Sequence, residues 1–297
     1  MKYNKKVYKV SLITIICNLF LAILKMIAGI VSNSGAMISD AIHTISDIGT
    51  TIIAFVGVIF ANKSEDDEHR YGHERLECIA SLLLAMILFI TGLELGFYGL
   101  KLLVNGNYDK APGLFALIAA FISIIVKELM FQYTIKVAID VKSDALKADA
   151  WHHRSDSLSS IGALLGIVLS MFGFTFFDSI ASVAISILVC KVAIDIFLEA
   201  TNKLVDKSCD DEKIEKIKNV VFSVKGVKGI DDIKTRMFGN KIYVDIEIAL
   251  DGDKTLRQTH RIAERVHDEV EKEFYDIKHI MVHVNPFERR KKRWEKK

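Results

Sequence analysis

The sequence holds few prolines and few cysteines, and the scarcity of cysteine limits the kinds of cross-link and metal site that the protein can contain. It has 2 prolines and 4 cysteines in 297 residues, and the cysteines are scattered with no CxxC pair. This pattern favours neither a disulfide framework nor a thiolate metal site. The zinc motif HExxH is also absent, which argues against a metallohydrolase that carries two histidines and a general base on one helix.

Apolar residues, by contrast, are abundant and come in blocks. The chain is 51% hydrophobic and its mean hydropathy is +0.29, which is typical of a membrane protein rather than a soluble enzyme. Because a helix needs roughly 20 residues to cross a hydrocarbon core of about 30 Å, each block is long enough to span it. The sequence predicts six spans, near residues 11–32, 36–61, 77–103, 112–135, 147–171 and 175–200.

The first block has one alternative interpretation, a secretory signal peptide, because basic residues precede it. The block is too long for the apolar core of such a signal and contains Asn18 and Lys25. The SNSG that follows it lacks a small-x-small cleavage pattern. We therefore expect this block to remain in the mature protein as the first span.

The distribution of lysine and arginine predicts the orientation in the membrane. Basic residues fall in the N-terminal segment, in the loop NKSEDDEHRYGHER and in KVAIDVKSDALK, whereas SNSG and GFTFFD have none and NGNYDKAPG has one. The positive-inside rule then predicts that both termini of this cell-membrane protein are cytoplasmic. The basic tail ERRKKRWEKK is interpreted as a solvated or lipid-attracted end, in preference to a nucleic-acid binding segment.

From about residue 209 the pattern changes to that of a small soluble domain. DDEKIEKIKNVVFSV has helical spacing, two strands flank the turn FGNK, and an amphipathic helix and an alternating strand follow. The predicted fold is an α-helical membrane domain over residues 1–208. A cytoplasmic, ferredoxin-like α+β domain of order αββαβ is predicted over residues 209–297.

Two segments inside the predicted spans repeat one polar pattern, Asp-Ala-x-His-x-x-Ser-Asp. They read DAIHTISD and DAWHHRSD. His43 and Asp47 are four residues apart, as are His152 and Asp156, so each pair lies on one face of a helix. Only His152 aligns with His43, and His153 is therefore predicted to be a neighbour rather than a ligand.

Both motifs are predicted to lie near the bilayer midplane, about 14 Å from where each span enters the membrane. They occupy the second helix of each three-helix half, as an inverted repeat with a central substrate site would. Interhelical hydrogen bonding is the alternative role. However, each ionisable group at the bilayer centre costs on the order of 2.5–3.5 kcal/mol. Two imidazoles and two carboxylates suit tetrahedral Zn²⁺, and the same set is compatible with Fe²⁺, Co²⁺, Cd²⁺ or Mn²⁺.

These features resemble a known family. The paired HxxxD motifs, the loop DDEHRYGH and the αββαβ domain are similar to those of the cation diffusion facilitators. The resemblance implies a homodimeric metal/proton antiporter that exports divalent metal from the cytoplasm, with His43, Asp47, His152 and Asp156 as its transport site. In that family two histidines and two aspartates are associated with zinc. Members with aspartate at the first position handle zinc, cadmium and iron, and other branches carry manganese.

The loop after the second span holds a second candidate metal site. Asp66, His69 and His73 follow the spacing i, i+3, i+7, which would place them on one face if the segment starts a helix. The alternative is a solvated charged loop. The resemblance favours a metal site, either gathering metal at the cytoplasmic mouth or stiffening the loop.

The resemblance also assigns metal-binding positions in the cytoplasmic domain. They correspond to Asp231, Asp245, His260 and His283, although two positions that are often histidine in the family are aspartate here. Asn285 stands where an acid can occur. These departures place a binuclear site in doubt, and the alternative is that both histidines are ordinary helix and strand residues.

Dimerisation is the more general role that the resemblance implies for the cytoplasmic domain. Arg75 and Asp206 fall at the cytoplasmic ends of the third and sixth predicted spans. Positions like them in the family can form a charge interlock at the dimer interface.

Other charged residues in or near the spans do not repeat at matching positions. We interpret them as snorkelling, paired between helices or facing a wet cavity, and assign them no role. A membrane metal sensor remains the rival function, because binding without transport uses the same ligands. The C-terminal domain shows no catalytic motif and HExxH is absent, so we expect no enzymatic activity. The charged residues without a role are Lys25, Glu94, Lys127, Glu128 and Lys191.

Overall fold

The chain divides into two structural units, Met1–Thr201 and Asn202–Lys297. In this computed structural model, the described part of the first unit is built from long helices and that of the second from a three-stranded sheet with two helices. The predicted domain boundary at residues 208 and 209 stays a prediction. The connections SNSG, NGNYDKAPG and GFTFFD lie largely outside the described residues, and the tail ERRKKRWEKK lies wholly outside them. The structure describes residues 2–31, 35–105, 114–171 and 177–287.

Six helices of 27 to 31 residues follow one another along the chain. At 1.5 Å per residue they are about 40–46 Å long, which exceeds a hydrocarbon core of about 30 Å. Among the described residues, 4 stretches are long and apolar enough to cross a membrane: Lys5–Val31, His43–Ala61, Arg75–Lys101 and Ile118–Val141. The predicted helical membrane domain is confirmed. Its helices are α1 (Lys2–Val31), α2 (Gly35–Ala61), α3 (Arg75–Asn105), α4 (Leu114–Val141), α5 (Asp144–Met171) and α6 (Phe177–Leu204).

The outward faces of these helices carry large apolar side chains, as expected where lipid is the solvent. Phe97, Leu129 and Ile139 are 68%, 63% and 70% exposed. Where two helices meet, small residues allow a close approach. A Cβ added at Gly57 of α2 would lie 2.3 Å from the Cβ of Ala80 on α3, so these helices could not pack this tightly with a larger residue at position 57.

The packing order brings three helices together around the polar motifs. α1 packs against α2 and α4, while α5 packs against α2, α3 and α4. The helices α2 and α5 carry the two HxxxD motifs. Their buried contact residues include Ala54, Val58 and Ala148. α4 therefore packs against one motif helix, α5, and against α1, which packs against the other, α2. A long polar side chain of α4 can reach the space between the motif helices.

The second unit has the predicted αββαβ order. β1 and β2 pair antiparallel and β2 and β3 pair parallel, in the order β1-β2-β3. The predicted turn is confirmed, with Gly239 at φ 62. The amphipathic helix packs against β3, and its Ile262, Val266 and Val270 are buried in one core with apolar side chains of β2 and β3. Its elements are α7 (Asp211–Ser223), β1 (Gly229–Phe238), β2 (Lys241–Leu250), α8 (Leu256–Glu273) and β3 (Ile277–Pro286).

Candidate metal sites

The two HxxxD motifs meet around one aspartate. Asp47 Oδ1 on α2 lies 3.8 Å from His43 Nε2 in its own helix and 3.2 Å from His152 Nε2 on α5. One ligand atom from each of His43, Asp47 and Asp156 lies within 4.8 Å of the others. His152 joins the group through its contact with Asp47. The four residues His43, Asp47, His152 and Asp156 are called the membrane cluster below.

The membrane cluster is largely shielded from the surroundings of the protein. The side chains of Asp47 and His152 are 2% and 5% exposed, and that of Asp156 is 17% exposed. His43 is about half exposed. A buried carboxylate is stable only with hydrogen bonds or a compensating positive charge. The burial of Asp47 therefore raises the question of what balances its charge.

A lysine without a predicted role supplies that charge. Lys127 Nζ lies 2.5 Å from Asp47 Oδ2 and 2.8 Å from Asp156 Oδ2, and its side chain is 2% exposed. It stands near the midpoint of α4. The sequence signal for this lysine was its position in the middle of an apolar helix. Lys127 belongs to neither HxxxD motif, so the repeat did not indicate it. The ammonium bridges the two carboxylates and completes a buried cluster of both signs.

A small cavity opens beside these groups. Its volume is about 80 Å³, and it is lined by the membrane-cluster residues His43, Asp47 and Asp156 together with Lys127 and further polar side chains. A water molecule needs roughly 10–15 Å³ of such volume, so the cavity has room for an ion and some of its water. The remaining lining residues are Lys25, Thr44, Ser123 and Ser160, and Lys25 Nζ donates a hydrogen bond of 3.0 Å to Thr44 Oγ1.

His153 contacts a different aspartate from the one that His152 contacts. Its side chain is fully buried, and its Nε2 lies 3.6 Å from Asp149 Oδ2. Thr51 Oγ1 donates a hydrogen bond of 3.1 Å to Asp149 Oδ1. His153 therefore contacts Asp149, and its role as a neighbour of the cluster rather than one of its ligands stays a prediction.

The loop between α2 and α3 also gathers its three predicted residues, but not by forming a helix. Residues 62–74 fold as turns, and α3 begins only at Arg75. Asp66 Oδ1 accepts a hydrogen bond of 2.9 Å from the backbone N–H of His69. The carboxylate lies 3.4 Å from His69 Nδ1 and 3.3 Å from His73 Nε2. The helical premise was wrong, whereas the predicted juxtaposition of Asp66, His69 and His73, called the loop cluster below, is present.

The electrostatics of the loop cluster favour an ionised carboxylate. The hydrogen bond from Lys63, and then that from the backbone of His69, hold the pKa of Asp66 well below its usual range. Lys63 Nζ lies 2.7 Å from Asp66 Oδ2. His73 is 7% exposed and His69 is 57% exposed. An ionised oxygen and two imidazoles with lone pairs form a ligand set suited to a divalent metal.

The candidate residues of the cytoplasmic domain are not brought together within one chain. The two groups of metal-ligating residues found in the described part of the chain do not include them. His260 on α8 contacts Glu264 at 3.2 Å, and α8 covers the face of the sheet opposite to that of Asp245. His283 on β3 stands opposite Glu247 in the register.

An amide takes the position where the family allows an acid. Asn285 Nδ2 donates hydrogen bonds of 3.1 Å to Asp231 Oδ2 and to Glu247 Oε2. The amide therefore satisfies two carboxylates that a metal would otherwise neutralise. These contacts agree with the doubt that the sequence raised about a binuclear site here.

Two known protein families match this chain, one over its helical part and one over the part that contains the sheet. The cation efflux transmembrane domain matches residues 11–205, and the cation efflux protein, cytoplasmic domain, matches residues 209–287. The chain is 34% identical over 281 residues to the uncharacterized transporter MJ0449 of Methanocaldococcus jannaschii, covering 95% of this chain and 99% of that protein.

A second relative carries a named substrate. The chain is 32% identical over 286 residues to the manganese efflux system protein MneP of Bacillus subtilis, covering 94% of this chain and 96% of that protein. Among solved structures, a cadmium form of a MamM CTD variant is 26% identical. The match covers 26% of this chain and 98% of that one, with a TM-score of 0.26.

Proposed function

The chain belongs to the cation diffusion facilitator, or cation efflux, family. From that premise we propose that it exports a divalent metal ion from the cytoplasm in exchange for protons. The membrane cluster is the proposed transport site. The observation that carries the proposal is the approach of His43, Asp47 and Asp156 ligand atoms within 4.8 Å, next to His152 and beside a polar cavity.

Zinc is the first proposed substrate, on the chemistry of the donors. Two imidazole nitrogens and two carboxylate oxygens match the tetrahedral preference of Zn²⁺ and its borderline-soft character. Divalent cobalt, cadmium and iron are compatible with the same set. The metal enters here as cargo, so the site must release it as well as bind it.

Manganese is a second candidate, and a separate observation favours it. MneP, which shares 32% identity over 94% of this chain, is named a manganese efflux system protein. Carboxylate oxygens suit Mn²⁺, and the cluster holds two carboxylates. The ratio of zinc to manganese flux is therefore the quantity that decides the cargo.

Proton exchange follows from competition for the same lone pairs. A metal needs deprotonated ligands, and imidazole has an unperturbed pKa of about 6.5. Near neutral pH on the cytoplasmic side, the cluster favours metal. When rocking of the helices exposes it to a more acidic exterior, protons displace the ion. The inward proton gradient then drives metal outward.

The remaining parts of the molecule take supporting roles in this proposal. The loop cluster binds metal at the cytoplasmic mouth of the transport domain. The cytoplasmic domain joins two copies of the chain into a homodimer, with Arg75 and Asp206 as candidates for an interface charge pair. The protein lies in the cell membrane with both termini in the cytoplasm, and it works as a transporter rather than as an enzyme.

Metal flux into proteoliposomes with an imposed pH gradient tests this function. Zn²⁺, Mn²⁺, Fe²⁺, Co²⁺ and Cd²⁺ are run in parallel on the full chain and on Asp156→Ala, with Glu128→Gln as a control that removes a carboxylate contacting Arg154 on α5. We expect flux that requires both the gradient and Asp156. If metal binds to the membrane cluster and none moves, the protein is a sensor and the transport proposal fails.

A further inference from the structure

We propose that Lys127 is a tethered cation that takes the place of the metal between Asp47 and Asp156 during part of the transport cycle. This inference rests on the proposed function and adds a residue from a third helix to the transport site. It assigns Lys127 a positioning and competing role rather than a ligand role. An ammonium group has no lone pair to offer a metal, so it cannot act as a ligand while it is charged.

The geometry makes the ammonium and a bridging metal mutually exclusive. Lys127 Nζ lies 2.5 Å and 2.8 Å from one oxygen of each carboxylate. A zinc ion that bridges the same two oxygens, Asp47 Oδ2 and Asp156 Oδ2, would lie about 2.0–2.2 Å from each of them. That position overlaps the volume that the ammonium fills. For the metal to bridge these two oxygens, the lysine must withdraw.

Asp47 uses its two oxygens for two different purposes. Its Oδ1 faces the imidazoles of His43 and His152, at 3.8 Å and 3.2 Å. Its Oδ2 faces Lys127. The ligands on α2 and α5 therefore keep their mutual arrangement while the ammonium is in place. Exchange of lysine for metal requires the movement of one flexible side chain rather than the repacking of the cluster.

The exchange keeps the two carboxylates of Asp47 and Asp156 neutralised when no metal is bound. Two carboxylates buried side by side repel one another, and a low-dielectric site strengthens that repulsion. When the metal has left, the empty site must open to the cytoplasm again before it can bind another ion. A lysine between the carboxylates supplies a positive charge for this step without carrying any metal. The cavity wall also contains Lys25, so two carboxylates face two ammonium groups.

The exchange also limits which ions can be transported, because the ion must bind the carboxylates more strongly than the ammonium does. An ion that binds the cluster must outcompete a cation that is already attached to the protein. A divalent ion has the charge to do so, whereas a monovalent ion of similar size interacts with each carboxylate about half as strongly. Lys127 therefore weakens metal affinity and favours turnover and discrimination against monovalent ions.

Lys127→Met tests the proposal because methionine keeps an apolar stem of similar shape and removes the charge. Lys136→Met, at an exposed position on the same helix, is the matched control. Zinc affinity is measured by calorimetry on purified protein. Two fluxes are measured in proteoliposomes: net zinc transport driven by the pH gradient, and exchange of labelled zinc at equal zinc concentration on both sides.

We expect Lys127→Met to bind zinc at least about tenfold more tightly, in the range usual for coupled sites. Net transport should fall by about tenfold or more, because the metal-free return is impaired, while zinc exchange stays within about threefold of wild type. Lys127→Arg, which keeps the charge, should restore part of the net flux. Lys136→Met should match wild type in all three measurements.

Other outcomes overturn the inference. Weaker zinc binding in Lys127→Met, or an equal loss of exchange and net transport, would make Lys127 a structural strut between α2, α4 and α5. Failure of both Lys127→Met and Lys127→Gln to fold would have the same meaning. If wild-type protein moves no metal, the proposed function fails instead, and the affinity comparison still tests the competition.

Discussion

The membrane cluster and the loop cluster each pair an aspartate with a lysine, but in opposite surroundings. Lys127 and Asp47 are each 2% exposed and lie 2.5 Å apart. Lys63 and Asp66 are 56% and 35% exposed and lie 2.7 Å apart. Water and salt screen the exposed second pair much more strongly than the buried first pair. The same contact is therefore a minor feature in the loop and a determinant of charge balance in the membrane.

The two clusters also differ in whether an ion bound there could be moved across the membrane. Both clusters bring one or more carboxylates and imidazoles within reach of a single ion. Only the membrane cluster joins two helices from the two halves of the domain, so only there can a rocking motion change which side the ion faces. The loop cluster consists of residues within one turn-rich segment, and its geometry does not depend on that motion.

The largest effect is expected for Asp47→Asn. This change removes the one carboxylate that contacts His43, His152 and Lys127 together. Because loss of even an outer-shell partner costs about 10–100-fold in metal affinity, loss of this ligand should abolish transport. Zinc flux and calorimetric affinity measure it, and a folded protein with wild-type flux would contradict the site.

A smaller but sharper contrast is expected between adjacent histidines. His152→Ala should remove transport, since His152 contacts Asp47. His153→Ala should keep most of the flux but lower the melting temperature, because it opens a cavity at a fully buried position beside Asp149. Flux and thermal unfolding are measured on both variants. Equal flux in the two would show that the alignment of the repeats misassigns the ligand.

The loop cluster should show a simpler dependence on pH. The pKa of Asp66 is lowered in the fold, so the stability from its carboxylate contacts is fully present above the unfolded pKa of about 3.9 and is lost as pH falls through the lower folded pKa. Protons compete with zinc for the ligand lone pairs, so zinc binding to a variant with Asp47→Asn and Asp156→Asn should weaken as pH falls from about 8 to about 5. Binding that stays constant across this interval would contradict the loop cluster as a histidine site.

The smallest effect is expected for Lys63→Met. Lys63 and Asp66 form an exposed pair, and such pairs contribute about 0–1 kcal/mol. Zinc flux should stay within about threefold of wild type, in contrast to Lys127→Met. If both lysine variants lose net transport equally, burial does not distinguish the two clusters as we infer.

The fold was largely predictable because its signals are periodic. Apolar blocks of membrane length indicated the long helices, and a helix and strands with the turn at Gly239 indicated the αββαβ unit. The shared helix face of His43 and Asp47, and that of His152 and Asp156, was predictable for the same reason, since a spacing of four residues places two side chains on one face. These are local patterns, and the sequence contains them directly.

What the sequence did not reveal depends on packing between segments. Lys127 has no repeated counterpart, and only the packing of α4 against α5 and α1 brings it to Asp47. The loop cluster was predicted on a helical premise, whereas a hydrogen bond from the His69 backbone to Asp66 makes the turn. In the cytoplasmic domain, family positions alone did not indicate that His260 lies apart from His283.

Gradient-driven zinc export by Asp156→Ala and Asp66→Asn, measured side by side with wild type in the same proteoliposomes, tests the central claim most directly. Asp156→Ala removes a carboxylate from the membrane cluster, and Asp66→Asn removes one from the loop cluster. We predict no export by Asp156→Ala and reduced but measurable export by Asp66→Asn. Export by Asp156→Ala at the wild-type rate, or its abolition only in Asp66→Asn, would contradict the account.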